Sequence, residues 1–541
     1  MKQAFTFTIL LIFLSTITYS QYDEKNTKSI EIIKKVNEYP NHFDLSSPIN
    51  SFITFKYLQS EGKQGLYRSV NSYKIRDYFP KENAPDAIVK EETSEKLLNT
   101  KINEIVIYKD SVVGIITDPP AKSAFKLPMQ IVTYLTFEDG KWLNAGEDIG
   151  NDLNDAREVF KRKCNYFLAY ISRIKELKQA PIDTYSFVTY LKNNAEAPID
   201  FVLKALADHK VVIYGEIHRR KTSWDFMRSV INSPKFIEKV GTVFMELSSD
   251  KQDALNKFFT NEKLDTEIIL NIFRDVQING WYDKGMYEFL IEIWKLNKTL
   301  SKEKRVNVVC VDEPRPFRSF KNYEELKAHF DSIDRNEQMA KIVSETIFTK
   351  KDKRNNLFIV GNGHAFKSPV PGFGVGRPKS ESKPTAAAQL SKIFTPEEVF
   401  SIFQHCPIIS NDGTIHGLIR NGLFDSAFAK SGNTPIAFKL KGSPFGKEPF
   451  DGLYEITYDK ETGNFENNYD AYIFIEPLES EQREYLFYDI LTDEYVKELN
   501  RRAIMTNTSV EKWFGISEAT KEAIIEKLKS NSQNMKRWTI F

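Results

Sequence analysis

The sequence predicts an α/β protein whose main body is a mostly parallel sheet flanked by helices, preceded by a smaller α+β accessory domain. Three observations carry this expectation. From about residue 182 short apolar runs alternate with polar turns and helical-period stretches, the rhythm of strand–turn–helix units. Two of those runs, VVIY and LFIV, end in one local frame: Gly215-Glu216-Ile217-His218 and Gly361-Asn362-Gly363-His364. Residues 21–150 show instead alternating, strand-like segments separated by turn residues.

The bulk properties bound the answer. A chain of 541 residues is too long for one ordinary core, so two or three domains are expected. Its 41% hydrophobic and 28% charged residues describe a globular chain rather than a disordered or membrane one. A formal net charge of +1 gives no reason to expect nucleic acid as a partner. Cys164, Cys310 and Cys406 include no C-x-x-C spacing and cannot build a disulfide framework. Cys310, inside VNVVCV, reads as a small core residue.

Residues 1–20 begin Lys2-Gln3, continue as AFTFTILLIFLSTIT and end before charge starts at Asp23. That pattern is a secretory signal peptide. Export is therefore expected, to a periplasm or outside the cell, with no stable membrane span after cleavage. The accessory domain, 21–150, includes SFITFKYL, KINEIVIY, SVVGIITD and QIVTYLTF as expected strands, with a tight turn at Asp139-Gly140. Residues 151–181 read as a linker helix carrying Val159, Phe160 and Phe167.

In the α/β domain, 182–478, each apolar run leads to a polar turn and then a helix. VVIY leads to GEIH and a helix with Trp224 and Met227. TVFM leads to Glu246 and to Ser249-Asp250-Lys251-Gln252, a capping-box pattern. VNVVCV leads to Asp312-Glu313-Pro314, then to a long helix with Met339, Val343 and Ile347 on one face. LFIV leads to GNGH. The Gly- and Pro-rich stretch 369–384 suits a flap or surface loop beside the site. VFSIFQ, PIAFKL and AYIFIEP are expected to close the sheet, and 479–541 reads as a charged helical tail.

Parallel strands present their carboxyl ends on one edge, where α/β proteins place ligands. His218 and Glu216, Glu246, Asp312 and Glu313, and His364 all follow such ends. Imidazoles and carboxylates converging there can bind a metal or act as a general acid–base pair. Each also has a plain reading: a hydrogen-bonded turn histidine, a carboxylate at a helix start, an Asp-Glu turn before proline. Gly215 and Gly361 suit a backbone that turns sharply or approaches a neighbour closely.

The ordered set, Gly-x-x-His, a strand ending in Met245-Glu246, then DRNEQMA (334–340), then GNGHA, resembles the TIKI/TraB and ChaN-like superfamily, distantly related to the erythromycin esterases. The resemblance spans roughly 205–370, and to about 478 if AYIFIEP is the terminal strand. It implies a site of His218, His364, Glu246 and Arg335, in TIKI-type members that of a proposed metal-dependent peptidase. There His218, Glu246 and His364 would hold a divalent metal. The Gly-Glu-x-His form is similar to ChaN-like members, which implies haem on His218 or His364 as the alternative. The esterases imply water activated by Glu and His without a metal, although they space Glu and His one residue further apart than Glu216 and His218. The expectation is an exported hydrolase of ester or amide bonds acting on a small-molecule or peptide substrate. In it His218 and His364, with Glu216 or Glu246, bind a divalent metal that activates water or position water directly, and Arg335 stabilises an anionic intermediate or orients a carboxylate. The alternative is a haem- or iron-binding uptake protein. The oligomeric state is left open.

Overall fold

The computed structural model describes residues 24–72, 85–119, 129–179, 183–218, 220–367, 384–409, 416–450, 463–478, 480–481 and 487–534. The expected signal peptide at 1–20, and all of the Gly/Pro stretch but Pro384, lie outside the described residues. The chain divides into two compact units, Met1–Ala180 and Pro181–Phe541.

The first unit is built on five antiparallel strands in sequential order: β1 (Thr27–Lys35), β2 (Lys101–Tyr108), β3 (Val112–Thr117), β4 (Gln130–Glu138) and β5 (Lys141–Gly150). Asp139 and Gly140 join β4 to β5 with positive φ at both positions, the two-residue hairpin geometry that matches strand twist. SFITFKYL, read as a strand, is a helix (Pro48–Ser60). Ser47 caps it by accepting from the Asn50 N–H, and Pro48 fills the first turn. Phe52 and Ile53 pack with Ile105, Val113 and Leu135 of the sheet, so a locally alternating pattern was overridden by capping and burial. The expected linker is the helix Leu153–Gln179, whose Phe160, Phe167 and Ile171 pack with Val132 and Tyr134. Gly114 admits it: a Cβ there would lie 2.4 Å from the Phe160 ring.

The second unit contains β6 (Val211–Glu216), β7 (Val240–Ser248), β8 (Asn307–Asp312), β9 (Asn355–Gly361), β10 (Val399–Gln404), the two-residue pair β11 (Ile408–Ile409) and β12 (His416–Gly417), β13 (Ile436–Lys439) and β14 (Ala471–Phe474). Seven of them form one sheet in the order β13-β14-β10-β6-β9-β7-β8. Every pairing in it is parallel except β13 with β14. The fold is thus a mixed α/β one, with a mostly parallel sheet beside an antiparallel one. Helices cover both faces. Trp224, Met227 and Phe289 pack with Val212, Tyr214 and Met245. Met339, Val343 and Ala387 pack with Ile213, Phe244 and Phe358 in a separate cluster.

Two further expectations changed. Ser249 does not cap the helix Gln252–Thr260, whose N-cap is Lys251. Gln252 instead turns its amide to β8, donating to the Val308 carbonyl at 3.0 Å and accepting from the Cys310 N–H at 2.7 Å. β8 is an edge strand whose outer backbone groups need partners, and the glutamine supplies them. The charged tail is part of the core. Helices Asp493–Met505 and Val510–Phe514 bury Tyr495, Leu499 and Val510 in the cluster that holds Phe289. Arg502, wholly buried, is held by Asp275 and by the Arg274 carbonyl at 2.9 Å.

Candidate functional site

After β6 the chain builds β7, β8 and β9 on one side, then crosses to place β10 on the other side of β6. Such a reversal leaves a crevice at the carboxyl edge of the sheet. His218 follows β6, Glu246 lies near the end of β7, Asp312 ends β8 and His364 follows β9. The pairing of β7 with β8 shifts register between Met245 and Ser248, and Glu246 falls in that interval. An irregularity of this kind re-aims a side chain at a strand end.

Glu246 is the hub. Its Oε2 accepts the Gly361 N–H at 2.6 Å, and its Oε1 is bonded by the Arg335 guanidinium. Arg335 opens the helix Arg335–Thr349 and also forks onto Asp312, with Nε–Oδ1 at 2.6 Å and Nη2–Oδ2 at 2.8 Å. His364 Nε2 lies 3.9 Å from Glu246 Oε1, and its Nδ1 lies 2.7 Å from Asn336 Oδ1. His218 Nδ1 lies 2.5 Å from Glu216 Oε1. The His218 ring meets Trp281 edge-on at 5.0 Å between centroids.

The glycines have a steric purpose. Gly361 has φ of −50°, so no left-handed backbone is involved. A Cβ there would lie 3.0 Å from Glu246 Oε2 and 3.2 Å from His218 Cε1. At Gly215 it would lie 2.5 Å from Asn362 Oδ1, whose partner is the Tyr469 hydroxyl at 2.5 Å. Gly361→Ala is therefore expected to cost roughly 1–3 kcal/mol by overpacking a filled site. Urea unfolding checks this; a midpoint equal to that of the parent would show that the site can give way.

The two histidines are driven apart in proton affinity. Burial alone would lower His218, but the charge and hydrogen bond of Glu216, with Glu246 and Asp283, carry it up to about 9. Burial pushes His364 down to about 4, against the pull of Glu246 and helped by Arg335. Burial would raise Glu246, yet Arg335, then His364 and His218, with the Gly361 N–H, hold it well below the ordinary carboxylate range. At neutral pH His218 is an imidazolium, His364 is neutral and Glu246 is ionised. Sign follows direction. The stability that His218 contributes is complete below about 6.5 and is lost as pH rises through about 9. That of neutral His364 is present above about 6.5 and is lost as pH falls towards about 4. Stability measured across these windows should fall at both ends, the alkaline fall disappearing in His218→Gln.

All five expected residues, Glu216, His218, Glu246, Arg335 and His364, thus lie in one connected network. Asp312, weighed as a turn former, belongs to it; its Oδ1 does accept the Glu313 N–H at 2.9 Å as a turn residue would. Glu313 stands 4.0 Å from Arg335 Nε and is raised above the usual range, chiefly by burial. Sequence reasoning passed over Asn336, although it follows Arg335 directly, and over Trp281 and Asp283, which no strand-end motif marks.

The donor set fits a divalent metal poorly. Both Glu246 oxygens are engaged, one by a cationic guanidinium that a metal would have to oppose. Among the described residues no group of three or more His, Cys, Asp or Glu side chains is placed to hold a metal ion. For haem the two histidines differ: His218, whose Nδ1 is held by Glu216, has a side chain 38% exposed and could present Nε2 to an iron, whereas His364 is largely enclosed, its side chain 14% exposed.

No family model matches the chain, and no curated protein matches it. Solved structures similar to it include a succinoglycan biosynthesis protein, at 10% identity over 54% of this chain and 97% of that one, TM-score 0.37. A mutant of the erythromycin esterase EreC in its open conformation is similar at 9% identity over 53% and 94%, TM-score 0.35. ChaN of Campylobacter jejuni, described with cofacial haem binding, is similar at 12% identity over 38% and 85%, TM-score 0.25. Likeness at this level carries no argument about chemistry, which rests on the residues themselves.

Proposed function

We propose that this protein hydrolyses an ester or amide bond by metal-free acid–base catalysis at the carboxyl edge of the second unit's sheet. One observation carries the reading: the buried Glu246 carboxylate is bonded by the Arg335 guanidinium and lies 3.9 Å from His364 Nε2, with the Glu216-paired His218 beside it across Gly361. Paired groups whose surroundings push their pKa values apart mark an acid and a base.

The 3.9 Å between His364 Nε2 and Glu246 Oε1 exceeds hydrogen-bond reach and suits a water that donates to both. Such a water turns its lone pairs outward. As it attacks the substrate carbonyl, His364 takes one of its protons and Glu246 fixes its direction. His218, protonated and tied to Glu216, stabilises the oxyanion and gives its own proton to the leaving alkoxide or amine; exchange with solvent then removes the proton from His364 and restores the one on His218. Arg335, forked onto Asp312, orients Glu246 and keeps it ionised. The substrate is proposed as a class only.

The test is hydrolysis of a panel of aryl esters and short peptides by the full chain before and after treatment with a chelator. Turnover that survives chelation and disappears in His364→Gln supports the reading. Turnover lost on chelation and restored by added zinc would overturn it in favour of a metal mechanism.

A further inference from the structure

Asn336 Oδ1 faces two groups at once. It lies 2.7 Å from His364 Nδ1 and accepts the Ala386 N–H at 3.1 Å. The second contact decides the first. A backbone N–H can only donate, so the Asn336 atom that meets Ala386 is the carbonyl oxygen and not the amide nitrogen. That oxygen can only accept. The His364 nitrogen facing it must therefore carry the proton. In a neutral imidazole only one nitrogen does, which makes Nε2 the basic atom.

The arrangement is anchored at both ends. Asn336 is the second residue of the helix Arg335–Thr349, directly after the arginine that holds Glu246. Ala386 is the first residue of the helix Ala386–Ile393. Its N–H is one of the helix-end donors that have no partner within the helix. Thr385 caps that helix by accepting from the Ala388 N–H, and the Thr385 hydroxyl also bonds the Phe366 carbonyl. Asn336 thus joins the two helices at the point where His364 sits, so its amide cannot flip without stranding the Ala386 N–H.

We propose that Asn336 is a positioning residue that holds neutral His364 as the tautomer protonated on Nδ1, leaving Nε2 as the basic nitrogen directed at Glu246. Its consequence for turnover rests on the hydrolase reading above; the tautomer itself does not. The alternative tautomer would put a proton between Nε2 and Glu246, making His364 a donor where a base is required.

Full-chain protein labelled with 15N-histidine, studied near pH 7 by long-range proton–nitrogen correlation, tests this without a substrate; the His364→Gln spectrum assigns the ring. The parent should show the Nδ1–H form. Asn336→Leu, which removes the acceptor, should lose that form in favour of Nε2–H, while Asn336→Asp, which keeps an acceptor, should retain it. An Nε2–H tautomer in the parent overturns the proposal even if Asn336→Leu does not fold, and an unchanged tautomer in a folded Asn336→Leu overturns it equally. On an ester the panel has identified, Asn336→Leu should lower kcat about 10–100-fold with KM little changed, and Asn336→Asp should recover much of the loss. A tautomer that moves while kcat does not would support the assignment of Asn336 and count against His364 as the base.

Discussion

Arg335→Met is expected to destabilise the second unit by about 3 kcal/mol, the low end of what removing one partner of a buried charge pair costs. The low end applies because the Arg335 side chain is 32% exposed. Asp312 and Glu246 are nearly fully buried, and both face the guanidinium. Without it Glu246 is offset by the two histidines and the Gly361 N–H, while Asp312 keeps Arg315, whose Nη2 lies 2.8 Å from its Oδ2. Glu246 would then bind a proton more readily, so its depressed affinity should rise. Worked through linkage, the parent's Glu246 contributes stability that is present above the unfolded value near 4.5 and is lost only in strong acid. The gap between parent and variant should therefore narrow as pH falls below about 4.5 and widen towards neutrality. Urea unfolding at neutral and acid pH measures both. A variant as stable as the parent at pH 7 would mean that the network is relaxed by solvent, and adding Glu246→Gln to Arg335→Met should recover part of the loss.

The largest catalytic effects are expected at the two histidines. His364→Gln should lower kcat/KM by about 10²–10⁴-fold, the range that a positioned general base supplies. His218→Gln should do the same through the acid step, and hydrolysis unchanged in either variant would sink the assignment. The pH profile carries more information than either loss. With the base titrating at about 4 and the acid at about 9, kcat/KM should rise through the first value, stay level across neutrality and fall through the second. His218→Gln should remove the alkaline limb and leave the acid one. If one histidine merely packs, its limb will be missing from the parent. Glu216→Gln separates charge from geometry at His218. It keeps an acceptor facing Nδ1 while removing the main influence that raises the ring, so the alkaline limb should move towards neutrality.

Much of the second unit was legible because buried parallel strands write themselves as short apolar runs. β6, β7, β8 and β9 fall where VVIY, TVFM, VNVVCV and LFIV do, and β10, β13 and β14 where VFSIFQ, PIAFKL and AYIFIEP do. The first unit was harder. SFITFKYL alternates like a strand, yet it forms a helix because Ser47 and Pro48 start one and the sheet buries Phe52 and Ile53. Helices of the charged tail were legible, but their burial was not. Arg502 looks solvated until Asp275 and the Arg274 carbonyl are brought to it from far away in the chain.

By itself the sequence determined that two histidines and two glutamates stand at the ends of apolar runs, with glycines beside the histidines. The strand period and the sharp turns are local properties, readable from neighbouring residues. Only the tertiary structure decided what those groups are. Strand order brought Glu246 against the Gly361 N–H, and the helix Arg335–Thr349 brought Arg335 onto Glu246 and Asp312. Burial and partner charges then raised the proton affinity of one histidine and lowered that of the other. Protonation state depends on what lies within a few ångströms in space, and the order of residues along the chain does not carry that information.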